Sequence, residues 1–108
     1  MNVQRLKSED GAPTTEAALR RKLEQLGYAV NRYFYPEGTY FGPHSHTVDK
    51  IDAVVSGSFR ITMGGESVVL GPGEYLFVPK GIEHEAEVIG DGAVLSLDGV
   101  RQSMNSKR

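Results

Sequence analysis

The sequence predicts an all-β domain of antiparallel strands, arranged as a sandwich, barrel or jelly roll, with one helix ahead of it. Three observations predict it. From Tyr28 onward the apolar pattern has a period of two, as in Phe59, Ile61 and Met63 against Ser58, Arg60 and Thr62. Turn signals interrupt that pattern at short intervals, at Pro36-Glu37-Gly38, Gly64-Gly65, Gly71-Pro72-Gly73, Pro79-Lys80-Gly81 and Gly90-Asp91-Gly92. Only residues 14–26 carry a helical stripe, formed by Ala18, Leu19, Leu23 and Leu26.

The elements follow in order. Residues 1–13 are polar and end in Gly11-Ala12-Pro13, which reads as a loose arm. The helix spans 14–26. Thr14 or Thr15 caps its first turn, Glu16 sits at the positive end of the dipole, and Gly27 suits a left-handed C-terminal cap. Strands are expected at 28–35, 39–41, 50–56, 58–63, 67–70, 75–78, 83–89 and 93–97. In the seventh, Glu83, Glu85 and Glu87 face one way, as a solvated stripe, while His84, Ala86 and Val88 face the other. The polar tail from Gly99 is expected to fray. The organisation is therefore one domain over 14–98, with the strands at 28–98.

Composition narrows the function. A chain of 108 residues fits one domain, and 39% hydrophobic with 24% charged residues fits a packed core rather than a disordered chain. A net charge of −2 argues against a basic nucleic-acid binder, and no block of like charges offers a membrane-surface patch. No stretch is apolar enough to span a bilayer. The first ten residues contain no apolar run, so a signal peptide is not expected and the cytoplasm is. The chain has no cysteine, which excludes disulfides, thiolate metal sites and a cysteine nucleophile.

Chemistry concentrates on three histidines, His44, His46 and His84. His44 and His46 are two apart, so on an extended chain both rings leave one face, where two imidazoles can bind one ion. His84 falls on the apolar face of its strand, where a buried ring needs partners for both nitrogens. A metal supplies one such partner, since neutral imidazole is a common ligand of first-row transition metals. Taken singly, each also has an ordinary reading: His84 as a hydrogen-bonded core residue, His44 and His46 as loop histidines.

Gly42-Pro43-His44-Ser45-His46, followed by Gly57, resembles the first motif of the cupin superfamily. Gly73, Pro79, Gly81 and His84 resemble the second at every glycine, proline and histidine position. The resemblance covers roughly residues 38–97. It implies a double-stranded β-helix, that is, a jelly-roll cupin barrel, and places the three histidines on the family's three histidine ligand positions. It implies a divalent transition metal (Fe, Zn, Mn or Ni), a small-molecule ligand or substrate, and a homodimer paired through a sheet edge. The expected strand 28–35 is the candidate edge.

The chain departs from the family pattern at two positions. Val88 replaces the last asparagine of the second motif, and Lys50 stands where the family's glutamate ligand would fall. A protonated amine ligates nothing. If odd positions of strand 50–56 face inward, Asp49 is the substitute fourth ligand, and this is the favoured reading because Ile51, Ala53 and Val55 make that face the more apolar. If the family register holds, Lys50 and Asp52 face inward, and Lys50 pairs with Asp52 or with an anionic ligand. With every histidine committed to metal, acid–base work falls to Tyr33, Tyr35, Tyr40, a carboxylate, Lys50 or metal-bound hydroxide. The expected function is a metal-dependent enzyme of dioxygenase type on a small organic molecule. The alternatives are isomerase or lyase chemistry, a ligand- or metal-sensing module without turnover, and a structural domain whose histidines only pack.

Overall fold

The computed structural model describes residues 1–6 and 14–102. Nine strands and one helix follow in order: β1 (Gln4–Arg5), α1 (Glu16–Gln25), β2 (Tyr28–Tyr35), β3 (Tyr40–His44), β4 (Lys50–Ser56), β5 (Ser58–Met63), β6 (Glu66–Leu70), β7 (Glu74–Val78), β8 (His84–Ile89) and β9 (Val94–Arg101). They form two antiparallel sheets, one of five strands ordered β1-β7-β4-β9-β2 and one of four ordered β3-β8-β5-β6. The chain moves from one sheet to the other between β2 and β3, β3 and β4, β4 and β5, and again along β6 to β9. This is the jelly-roll fold expected of the sequence.

Two apolar layers hold it together. Inward-facing residues of both sheets, among them Val54, Phe59, Ile61, Leu70, Leu76 and Val88, fill one end of the space between the sheets. On the outside of the five-stranded sheet, Leu19 and Leu23 of α1 pack on Tyr28, Ile51, Ala53, Tyr75 and Leu97. The helix starts at Thr15, whose side-chain oxygen accepts the Ala18 amide at 3.1 Å. It is short, and its stability comes from the two fully buried leucines rather than from propensity.

Two glycine features set the turns. Gly64 and Gly65 both have positive φ, +58° and +81°, as a two-residue turn of type I′ requires, and they close the β5–β6 hairpin with Met63 opposite Glu66. Gly57 has φ +94°, and a Cβ there would lie 2.4 Å from the Ala93 carbonyl oxygen. Only glycine lets the chain cross between sheets that tightly.

Both ends of the chain differ from expectation. Met1 and Val3 alternate onto the barrel core, Gln4 and Arg5 pair with Tyr75 and Glu74, and the Leu6 amide reaches the Gly73 carbonyl at 2.9 Å. The first six residues thus dock along the β7 edge, with Gln4–Arg5 as a short edge strand; residues 7–13 of the expected arm lie outside those described. At the other end β9 runs through Gly99 to Arg101, paired with β2 and β4, so the expected fraying does not begin at 99. Gly99 acts as a close-contact residue and not as a breaker: a Cβ there would meet Ile51 Cγ2 at 2.5 Å and Tyr28 Cβ at 2.9 Å. Residues 103–108 lie outside the described part. Among the described residues, no helix is long and apolar enough to cross a membrane.

Candidate metal centre

The site forms at the open end of the space between the sheets, and a bulge in β3 aims its first ligand. Phe41 pairs with Ala86 and His44 with His84, so three steps along β3 match two along β8. The extra residue falls at Gly42-Pro43, where proline has no amide to give to the ladder. It reverses the side-chain parity, and Phe41 and His44 both face inward. His46, two residues on, returns to the same side. His84 opens β8, cross-strand from both His44 and Met63, and is 4% exposed.

The three rings converge. Their centroids are 4.2 Å apart for His44 and His84, 4.9 Å for His44 and His46, and 5.1 Å for His46 and His84. One nitrogen from each lies within 4.8 Å of the others. The tautomers of two rings are fixed by their neighbours. His44 Nδ1 lies 2.7 Å from the Gly42 carbonyl oxygen and His84 Nδ1 3.0 Å from that of Ile82. A carbonyl oxygen only accepts, so each Nδ1 carries the proton and each Nε2 keeps a free lone pair. Such outer hydrogen bonds are the usual way a metal-ligating imidazole is oriented. Electrostatics act in the same direction. Burial, then the Lys50 charge and the neighbouring rings, push the His46 imidazole below its ordinary pKa, and burial does the same to His84. Both rings are therefore neutral at neutral pH, as ligands must be. Among the described residues the group is three imidazoles with no carboxylate, a donor set that suits a divalent first-row ion and leaves positions open.

Asp49 does not join this group. Its Oδ1 accepts the Lys80 amide at 2.8 Å, and it lies outside the cavity lining. The inward positions of β4 are even: Lys50 and Asp52 line the cavity, while Ile51 and Ala53 face α1. The more apolar face of the strand is thus its outer face, because the helix covers it. Asp49 instead ties the loop after His46 to the loop before His84. The Gly81 amide, donating to the His46 carbonyl oxygen at 2.8 Å, makes a second tie between those loops.

The cavity beside the histidines has a volume of about 190 Å³. Tyr35, Phe41 and Phe59 form one aromatic wall, with ring centroids 4.9 to 6.3 Å apart. Lys50, Asp52 and Asp98 of the five-stranded sheet line the same cavity. Lys50 Nζ donates to Asp98 Oδ2 at 2.8 Å, and each side chain is 15% exposed. Burial, and then the Asp98 charge, raise the Asp52 carboxyl to about 7 in spite of Lys50. Burial first, and then the two carboxylates, push the Tyr35 phenol far above its ordinary value, so it stays neutral. Tyr33 and Tyr40 are exposed, and the Tyr40 hydroxyl donates to Glu85 Oε1 at 2.6 Å on the outer face. Neither lines the cavity, whereas Phe41 does.

Asp98 is the cavity residue that sequence reasoning missed. The run Val94, Ser96, Asp98 keeps one parity, and that signal was available; Gly99 obscured it by reading as a strand end.

Comparison with known proteins agrees with this fold. Residues 31–99 match the family model for the cupin domain. The chain belongs to the cupin family. An uncharacterized relative, SCO3923 of Streptomyces coelicolor, is 29% identical over 76 residues, covering 70% of this chain and 72% of that protein. A cupin protein of Bacteroides fragilis superposes over 100% of this chain and 91% of its own, with a TM-score of 0.60 at 22% identity, which is a likeness of fold. A chain of the DMSP lyases RdDddP and RnDddQII matches with a TM-score of 0.63 at 25% identity over 70% of this cupin, which spans 39% of that chain.

Proposed function

We propose that His44, His46 and His84 hold a divalent transition metal and that this cupin acts on a small organic molecule bound in the adjoining cavity. The observation that carries this is the pair of locked tautomers: two Nδ1–H groups committed to backbone carbonyls leave their lone pairs converging with a third imidazole. The ion, when bound, supplies a Lewis acid that polarises an oxygen of the bound molecule. The chain's own residues supply the rest. The Tyr35, Phe41 and Phe59 wall packs an apolar part of the molecule and excludes water, and Lys50, Asp52 and Asp98 face its polar part. An acid, a base partner and an ammonium in one cavity favour proton-transfer chemistry of isomerase or lyase type. The likeness to a DMSP lyase chain supports that class. Dioxygenase-type oxidation is the second reading, favoured by the open positions of a three-histidine donor set.

Metal analysis of the purified protein after incubation with Zn, Fe(II), Mn or Ni tests the first claim. Stoichiometric uptake lost in His84→Ala is expected, and no uptake of any of them refutes it. Oxygen consumption across diketones, thiols and catechols separates the two reactions. Silence there, and in eliminations and isomerisations of small organic acids, would leave binding without turnover.

A homodimer belongs to the same reading. β2 is one edge of the five-stranded sheet, the longer of its two edge strands among the described residues, and it exposes Tyr33 at 43% and Phe34 at 67%. Pairing with a second copy would cover both. Sedimentation of the protein and of Phe34→Glu checks this, with a monomer expected for the variant.

A further inference from the structure

The charged part of the cavity wall contains an arrangement that metal binding does not use. Asp52 on β4 and Asp98 on β9 are direct cross-strand partners, and both line the cavity. Two carboxylates at that spacing repel each other. Lys50 relieves one of them by donating to Asp98 Oδ2. The other oxygen, Asp98 Oδ1, is buried and has no donor among the described residues. An ionised acceptor without a donor is costly in a protein interior. The acid directly across the ladder from it is Asp52, which has a proton to give whenever it is un-ionised.

We propose that Asp52 and Asp98 hold one proton between them, and that this carboxyl pair is the exchangeable proton of the histidine pocket. Asp52 is the acid and donates to Asp98 Oδ1, while Lys50 keeps Asp98 the acceptor. The transfer balances simply. An O–H bond of Asp52 breaks, its electron pair stays on the carboxylate, and the proton passes to a basic oxygen or carbon of the molecule in the cavity. Lys50 then faces two carboxylates until a proton returns. The groups that set this balance are Lys50, Tyr35 and the three histidines. Tyr35 is neutral and His46 and His84 are uncharged at neutral pH, and the cation of the wall is Lys50, paired with Asp98. Asp52's raised pKa, about 7, agrees with that arrangement. The use of the pair as an acid toward a substrate rests on the function proposed above; its existence does not.

The experiment therefore has two arms. Carbon-13 NMR of the aspartate carboxyls, in full-length protein kept metal-free with chelator, reads the pair alone. One carboxyl is expected to titrate near neutrality, to vanish in Asp52→Asn, to move to lower pH in Asp98→Asn and to higher pH in Lys50→Met. A near-neutral midpoint indifferent to Asp98→Asn, or no aspartate titrating above the ordinary range, overturns the proposal. Should Asp98→Asn fail to fold, the Lys50→Met shift decides in the same way. The second arm is zinc titration by calorimetry in buffers of differing ionisation heat at neutral pH. The wild type is expected to release more protons per zinc than Asp52→Asn, because a dication in the cavity favours the ionised pair. Equal release refutes the coupling between pair and cluster. Absence of zinc binding refutes the metal reading, while the NMR titration still decides whether the pair exists.

Discussion

The cost of keeping Asp52 inside the barrel can be worked out and measured. In the unfolded chain this carboxyl ionises near 3.8, and in the fold at about 7. The folded state therefore holds the proton more tightly. Its contribution to stability is complete below the unfolded value and is lost as pH rises through about 7. Three units at about 1.4 kcal/mol each give about 4 kcal/mol across the whole window. Asp52→Asn keeps the shape of the side chain, offers an amide N–H to Asp98 Oδ1 and cannot titrate. Relative to wild type, the variant should gain about 3 kcal/mol between about pH 5 and about pH 8, where two of those units fall. Urea unfolding followed by circular dichroism, with chelator present, reads this directly; the chain has no tryptophan for fluorescence. With a slope near 1.5 kcal/mol per molar, the gap between the two midpoints should change by about 2 M. His46 and His84 lose stability in the opposite direction, as pH falls below the ordinary histidine value, but they do so in both chains and cancel from the difference. If the gap is the same at both pH values, Asp52 behaves as a solvated acid and the account of the cavity wall is wrong.

Further predictions concern the cluster, the ion pair and one turn. With zinc at about a hundred times its dissociation constant, wild type should gain about 3 kcal/mol and His84→Ala almost none, so the variant's melting deficit should be far larger with zinc than with chelator; equal deficits would assign His84 to packing. Zinc affinity should hold down to somewhat below the ordinary histidine pKa before falling, since burial first depresses both His46 and His84, and calorimetry across that range checks it. Lys50→Met should cost about 3 kcal/mol at neutral pH by leaving Asp98 unpaired beside Asp52, and the double variant with Asp98→Asn should recover more than half; additive losses would refute the pair. Gly57→Ala should cost on the order of 3 kcal/mol, because it combines a disfavoured positive φ with a Cβ against the Ala93 carbonyl, and a loss under about 0.5 kcal/mol would contradict that geometry.

The sequence is legible where a local rule has no competitor. Strand β5 alternates cleanly and ends at two glycines, so both its limits and the hairpin after it follow from period and turn chemistry. β2 and β4 are bounded in the same way. The ends are less legible, because what orders them is tertiary. Met1 and Val3 are two apolar residues in a polar stretch, and only the proximity of the β7 edge and the barrel core gives them somewhere to go. Gly99 reads as a breaker, though it is present because Ile51 and Tyr28 leave no room for a side chain. The face of β4 misleads for a related reason. Apolarity identifies a buried face, but β4 is buried on both, and the helix side happens to be the more apolar. That pattern favours Asp49 over Lys50 and Asp52, and the barrel reverses it. The effect of the β3 bulge on side-chain parity is visible only in the pairing of His44 with His84, which no local pattern in β3 records.

Lys50 in place of a glutamate then looks less like damage to a metal site than like part of a different charge balance. A glutamate would have brought one negative charge to the ion. Here Lys50 and Asp98 neutralise one another, and Asp52 holds a proton that it can release. A divalent ion on three imidazoles would meet no counter-charge among its ligands, and ionisation of Asp52 would add a second negative charge, beside that of Asp98, to the wall of the same cavity. Asp98, which closes the pair on both sides, therefore links the ammonium at the glutamate position to the acid that titrates near neutrality. The departure from the family pattern and the acid that titrates near neutrality are two halves of one arrangement, and a substitution at position 50 should be read through Asp98 before it is read through the metal.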